Sequence, residues 1–197
     1  MEVEARVVRL QLAETFVIAR EATDHADVVH VALSHKGVSG YGEAAPIERY
    51  GESVESAKAF VEEHAGVLGD DPFSLEDIGE RLAAAPREQA AKAAIDGALH
   101  DLQGKLLGVP VFRLLGLPRS GPPTSWTVWL GDPDDMARRA EQAASSYRRL
   151  KLKLGGGDGL DVERVRAVRG VTDLPLMVDV NEWWSLDEAL ESLPQLA

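Results

Sequence analysis

Alternating apolar and polar positions open the chain, and a helical rhythm replaces them after residue 50. Val3 to Leu12 alternates as a strand does, with Val3, Ala5, Val7 and Arg9 on one side. Thr15 to Arg20 is rich in β-formers, and Asp27 to Ser34 carries Val28, Val29, Val31 and Leu33. Gly37, Gly40 and Gly42 then punctuate the chain ahead of Glu43 and Pro46. Together these runs predict a small antiparallel meander of about three strands. Ser53 is placed to cap a helix reaching about Leu68, in which Val54, Ala57, Phe60, Val61 and Val67 recur at helical spacing. Ser74 with Asp77 suggests a second, capped helix. From Arg87 to about Leu107 an alanine-rich helix carries Ile95, Leu99, Leu102 and Leu106. Gly97 inside it hints at a tight helix contact rather than at chemistry.

The clearest break is the proline- and glycine-rich stretch from Gly116 to Pro123. We therefore expect one domain over 1–116, a linker over 117–123 and a second domain over 124–197. After the linker the rhythm changes. Strands are predicted at Thr124–Leu130, Arg149–Leu154 and Pro175–Val180. Helices follow each, from Asp132-Pro133 to Tyr147, from Asp158 to Gly170, and from a capping box at Ser185 and Glu188. Such alternation predicts consecutive βα units of a parallel sheet, which a doubly wound sheet and a barrel both satisfy. A barrel needs about 250 residues, so on that reading these residues are expected to be a C-terminally truncated part.

Composition narrows the classes. The net charge is −12, which discourages nucleic acid or anionic membrane as a general partner. No cysteine is present, so a disulfide framework, a thiol nucleophile and a thiolate metal site are excluded. The opening residues lack the basic-then-apolar order of a signal peptide and no long apolar run occurs, so a cytoplasmic location is the expectation.

The sharpest chemical feature is Leu150-Lys151-Leu152-Lys153-Leu154. In a strand the two lysines share one face and the leucines the other. Two ammonium groups on an inner face are costly unless they have a purpose, and their repulsion favours the neutral amine a general base needs. The alternative is an exposed edge strand guarded by lysines. Asp179 and Asn181 close the next strand on a shared face, where hard oxygen ligands suit magnesium or manganese; turn formation and helix capping are the alternative. Lys153 and Asp179 end consecutive parallel strands and should share a rim, placing a base beside a metal as abstraction of a proton next to a carboxylate requires. Thr127 could donate a hydrogen bond at that rim or be only a β-former. Gly155-Gly156-Gly157 could cradle an anion or form a loop, Trp183 and Trp184 could wall a pocket or pack, and the five histidines show no ligand spacing.

The order of these features resembles the enolase superfamily, and more narrowly its muconate-lactonising branch and dipeptide epimerases. The segments that carry the likeness are 41–46 (Tyr-Gly-Glu-Ala-Ala-Pro), 94–102, Thr124-Ser125-Trp126-Thr127, 150–155 and Val178-Asp179-Val180-Asn181. The resemblance implies an α+β N-terminal capping domain followed by the first three βα units of an incomplete TIM-type (β/α) barrel. It implies 1,1-proton transfer through an enediolate, with Lys153 as base or acid on one face of the α-carbon and Lys151 close to the substrate carboxylate. Asp179 is then a ligand of Mg2+, or of Mn2+, with Asn181 beside it. Thr127 lines the site, and Arg20 reaches the distal end of a small-molecule dipeptide or acyl amino acid. An acidic side chain such as glutamate would give Arg20 a partner. A homo-oligomeric parent is compatible with the likeness. The remaining metal ligands and a second lysine are expected beyond residue 197, so no turnover is expected from these residues alone. An o-succinylbenzoate synthase, an N-acylamino acid racemase or a cycloisomerase would use the same lysines. A complete, non-catalytic binding or assembly module is the reading from another class, and a nucleotide-binding protein is disfavoured by the missing phosphate loops.

Overall fold

The computed structural model describes residues 1–196, which cluster into two compact units: 1–11 with 25–120, and 12–24 with the residues from 121 onward. Strands β1 (Glu2–Val17), β2 (Ala22–His35) and β3 (Val38–Ala44) form a sheet in that order, whose residues 12–17 and 22–24 group with the second unit and the rest with the first. Strands β2 and β3 are antiparallel, with Val29 opposite Ala44 and His35 opposite Val38. Helices α1 (Val54–Glu63), α2 (Leu75–Ala83), α3 (Gln89–Leu107) and the short α4 (Val111–Leu114) follow. Val29, Val31 and Leu33 of β2 are fully buried and pack with Phe60 and Val61 of α1, Ile78 and Leu82 of α2, and Ile95, Leu99 and Leu102 of α3.

Helix α1 ends at Glu63, short of the expected Leu68, with a separate 3-10 turn over Ala65–Leu68, and β2 begins at Ala22 rather than Asp27; other details differ as well. The runs 3–12 and 15–20 are not separate strands: no glycine or proline lies between them, so the ladder continues as one strand. The chain reverses only at 18–21, where Ile18 N–H bonds Glu21 C=O at 2.9 Å. The third strand is instead β3, which runs through Gly40 and Gly42. These are glycine because an alanine-rich helix lies against them: a Cβ on Gly42 would stand 1.9 Å from Ala94 O, and one on Gly40 2.2 Å from Ala98 O. The close approach expected of Gly97 belongs to these strand glycines, since a Cβ at 97 would meet Gly42 Cα at 4.0 Å. Finally, Ser74 does not cap α2 through its side chain; its hydroxyl donates to Asp71 at 3.3 Å.

The capping box at Ser53 forms with Ser56. Helix α3 is capped from a distance: the buried Glu52 carboxylate accepts from Gln89 N–H at 2.6 Å and Ala90 N–H at 3.2 Å. Glu88, the residue before the helix, provides no side-chain cap. Glu52→Ala is expected to lower stability by about 1–2 kcal/mol, read as a lower urea midpoint, because two N–H groups at the positive end of a helix lose their acceptor.

In the second unit, β4 (Ser125–Val128), β5 (Arg149–Lys153) and β6 (Leu176–Asp179) form a parallel sheet in sequence order. Helices α5 (Pro133–Ala144), α6 (Asp161–Arg169) and α7 (Leu186–Leu196) alternate with them. The capping box at α7 is formed, with Glu188 N–H on Ser185 Oγ at 3.2 Å and Ser185 N–H on Glu188 Oε2 at 2.7 Å. Leu150, Leu152 and Leu154 are wholly buried against Met136 and Ala140 of α5 and Val165 and Val168 of α6. No helix among the described residues is long and apolar enough to cross a membrane.

Candidate functional site

Period-two alternation places the lysines as expected. With the leucines of β5 buried under helices, Lys151 and Lys153 project from the opposite face. The edge-guard alternative does not hold, because β5 is the central strand, hydrogen-bonded to β4 on one side and β6 on the other. In register, Lys153 stands opposite Asp179, and Lys151 opposite Met177 and Thr127. Lys151 Nζ lies 2.7 Å from Asp179 Oδ2, and Lys153 Nζ lies 3.0 Å from the same oxygen. Lys153 also donates to Asn181 Oδ1 at 2.8 Å and is 8% exposed, so its direction is fixed by two acceptors.

Asp179 is the hub. Burial raises its pKa, but hydrogen bonds from Lys151, Asn181 N–H and Lys153 outweigh that and hold the carboxyl well below the usual carboxylate range. The turn after β6 serves this end: Asn181 adopts φ 48°, in the left-handed region that asparagine tolerates, and its N–H reaches Asp179 Oδ1 at 2.9 Å. Arg20 Nη1 donates to Asn181 C=O at 2.5 Å. Its segment is tied to the end of β4, where Leu130 N–H bonds Val17 C=O at 2.9 Å. Lys151, Lys153, Asp179, Asn181 and Arg20 thus form one connected group. Thr127 joins it through register with Lys151.

The glycine run lies in the loop from β5 to α6, as the loop reading expects, and its first amide is engaged within the chain. Gly155 N–H is taken by both oxygens of Asp161, at 3.1 and 2.9 Å. Gly155 has φ 92°, and a Cβ there would lie 2.7 Å from Trp183 Cβ and 3.0 Å from Val180 O. Trp184 packs against the core, Trp183 covers Gly157, and both line a cleft of about 330 Å³. Sequence reasoning missed Asp158, Asp161 and Arg164, because charged residues at the start of a helix ordinarily face water. Arg164 is instead 3% exposed, and its guanidinium holds Asp158 down to about 2 against the cost of burial. That stabilisation is complete above the ordinary aspartate value of 3.8 and is lost as pH falls through 3.8 toward about 2. Because 42% of the Asp158 side chain is exposed, solvent screening keeps the effect small. Asp158→Asn should therefore flatten the fall of the urea midpoint across this acid range.

The donor set bears on a metal ion. Asp179 offers hard carboxylate oxygens suited to a divalent cation of the magnesium type. No group of three histidine, aspartate or glutamate side chains among the described residues could hold one. The chemistry fits one ligand of such a site rather than a complete set.

Comparison with known proteins places the chain in a family. Residues 1–116 match the family profile described as mandelate racemase / muconate lactonizing enzyme, N-terminal domain, and 135–197 match enolase C-terminal domain-like. An L-Ala-D/L-Glu epimerase of Bacteroides thetaiotaomicron is 39% identical over 177 residues, covering 89% of this chain and 46% of that protein. A hydrophobic dipeptide epimerase of Enterococcus faecalis is 34% identical across the whole chain, which covers 57% of it. The crystal structure of the dipeptide epimerase from E. faecalis V583 complexed with Mg and the dipeptide L-Leu-L-Tyr superposes with a TM-score of 0.92 at 32% identity, covering 98% of this chain and 57% of that one. The chain spans about half the length of the curated relatives it matches.

Proposed function

This chain belongs to the mandelate racemase / muconate lactonizing enzyme family of the enolase superfamily, and from that premise we propose that it supplies one half of the active site of a magnesium-dependent dipeptide epimerase. Residues 1–116 form its capping domain, 117–123 a linker, and 124–197 the opening part of its barrel. The observation that carries the proposal is the Lys153–Asp179 pair, in register at the carboxyl ends of adjacent parallel strands, with Lys151 on the same carboxylate oxygen.

In its neutral form Lys153 Nζ takes the α-proton from one face of the substrate, becoming an ammonium, and returns it in the reverse direction. Asn181 Oδ1 and Asp179 Oδ2 orient that nitrogen, so the amine is aimed before substrate arrives. Lys151 adds positive charge beside the place where the substrate carboxylate gains charge as the proton leaves. Asp179 holds the magnesium ion, which when bound supplies charge to the same carboxylate. Thr127 lines the floor of the site beneath Lys151. Arg20, which donates to Asn181 C=O, is assigned to the distal end of the substrate. A terminal acidic side chain suits that guanidinium, which favours a dipeptide such as Ala-Glu.

Proton transfer between epimers needs a second base on the opposite face and further carboxylate ligands, which we assign to polypeptide outside these residues. The 197-residue chain is expected to show no magnesium-dependent exchange of the α-hydrogen of Ala-Glu in deuterated water, followed by proton NMR. A chain carrying the complete barrel is expected to exchange it. Robust exchange by residues 1–197 alone would overturn the half-site assignment.

A further inference from the structure

Three loops leave the carboxyl ends of β4, β5 and β6, and one pair, the buried Arg164 and the half-buried Asp161, touches all three. Arg164 Nε donates to Gly131 C=O, beyond β4, at 2.8 Å. Its Nη1 and Nη2 close on the two oxygens of Asp158 at 2.8 and 2.6 Å, and Nη1 also reaches Asp161 Oδ1 at 3.1 Å. Asp161 in turn accepts from Gly155 N–H, beyond β5, and from Trp184 Nε1, beyond β6, the latter at 2.8 Å. The loops that Asp161 joins also touch directly, since Gly155 leaves no room for a Cβ between Trp183 and Val180.

Nothing in the proposed chemistry uses these groups. Burying an ion pair carries a desolvation cost that apolar residues of the same size avoid, so retention for stability alone is a weak explanation. The connectivity offers a better one. Gly155 follows Lys153 by one residue, Leu154, and Trp184 lies just past Asp179 and Asn181. We propose that Asp161, locked by Arg164, is a positioning residue that sets the distance between the segment carrying Lys153 and the segment carrying Asp179 and Asn181. The inference rests on the site assignment above. Its chemistry is specific to a carboxylate: Asp161 receives three donors, from Gly155, Trp184 and Arg164, on two oxygens. An amide in its place has a single acceptor oxygen and turns an N–H toward N–H groups.

The test measures Lys153 directly in the 197-residue chain, without turnover. Acetylation of Lys153 by an N-hydroxysuccinimide ester is followed by peptide mass spectrometry relative to Lys58, a half-buried lysine on α1 paired with Glu62, with exchange of the Trp184 indole proton followed by NMR. In the parent chain the Lys153 side chain is 10% exposed and that of Lys58 37%. Asp161→Asn is expected to raise the Lys153-to-Lys58 ratio about tenfold and to speed indole exchange, as loss of a charge-assisted hydrogen bond implies. Val168→Ala, a core change on the same helix, is expected to lower the urea midpoint and leave the ratio where it was. An unchanged ratio in Asp161→Asn, or an equal rise in Val168→Ala, would overturn the positioning role. Should Asp161→Asn not fold, Trp184→Phe removes one donor and keeps an aromatic ring. A smaller rise in the ratio then supports the clamp, and no rise overturns it. Absence of epimerase activity in the complete barrel would count against the proposed function and leave these readouts standing.

Discussion

Lys153→Ala, made in a chain carrying the complete barrel, is expected to lower epimerisation of Ala-Glu by about 10³-fold, the scale of a general base that takes part directly. The loss should fall on kcat more than on KM, because the proposed reading has Lys153 act on the α-hydrogen and Arg20 and Lys151 hold the charged ends of the substrate. Stability should change little by comparison. Asp179 keeps Lys151 at 2.7 Å and the N–H of Asn181 at 2.9 Å, so removing one ammonium does not leave a partly buried carboxylate without a partner. Asn181 Oδ1 and Asp179 Oδ2 each lose the Lys153 donor. Steady-state kinetics alongside a urea melt separate the two effects. A variant that loses activity only because it unfolds would show a matching drop in midpoint.

Gly42→Ala is expected to be the most damaging small substitution in the first unit, costing about 3 kcal/mol or more. The added carbon would meet Ala94 O at 1.9 Å, Ala94 C at 2.8 Å and Ala98 N at 3.0 Å. All three belong to the backbone of α3, so no side chain can rotate away and the helix itself must move. That helix contributes Ala91, Ala94, Ile95, Ala98, Leu99 and Leu102 to the core, and a displacement would be felt across it. Gly97→Ala is the internal contrast. Its Cβ would find only Gly42 Cα, at an ordinary 4.0 Å, so the gain in helix propensity should stabilise by up to about 1 kcal/mol. Urea midpoints of the two variants should therefore move in opposite directions.

These two glycines mark where the pattern along the chain was legible and where it was not. Lys151, Lys153 and Asp179 could be placed from sequence because strand alternation and the carboxyl ends of parallel strands are short-range rules. The same rules put the leucines of β5 in the core. Strand β3 escaped because Gly37, Gly40 and Gly42 read as turn punctuation, whereas two of them are small so that a distant helix can approach. Glu52 escaped for a related reason: it caps a helix whose first residues lie far along the chain. Asp161 and Arg164 look like solvated charges at the start of a helix, and only tertiary contact shows that they tie loops together. Gly40, Gly42, Glu52, Asp161 and Arg164 are each a small or polar residue with a partner in another element, whereas Asp158 pairs with Arg164 only six residues along.

The central claim is that Lys153 serves one face of the substrate and that a base from elsewhere in the barrel serves the other. The direct measurement places a complete-barrel chain with Lys153→Ala in deuterated water and follows loss of the α-proton signal from L-Ala-L-Glu and L-Ala-D-Glu separately. The account predicts that exchange is lost for the epimer whose hydrogen faces Lys153 and persists for the other. Undiminished exchange from both epimers would contradict it.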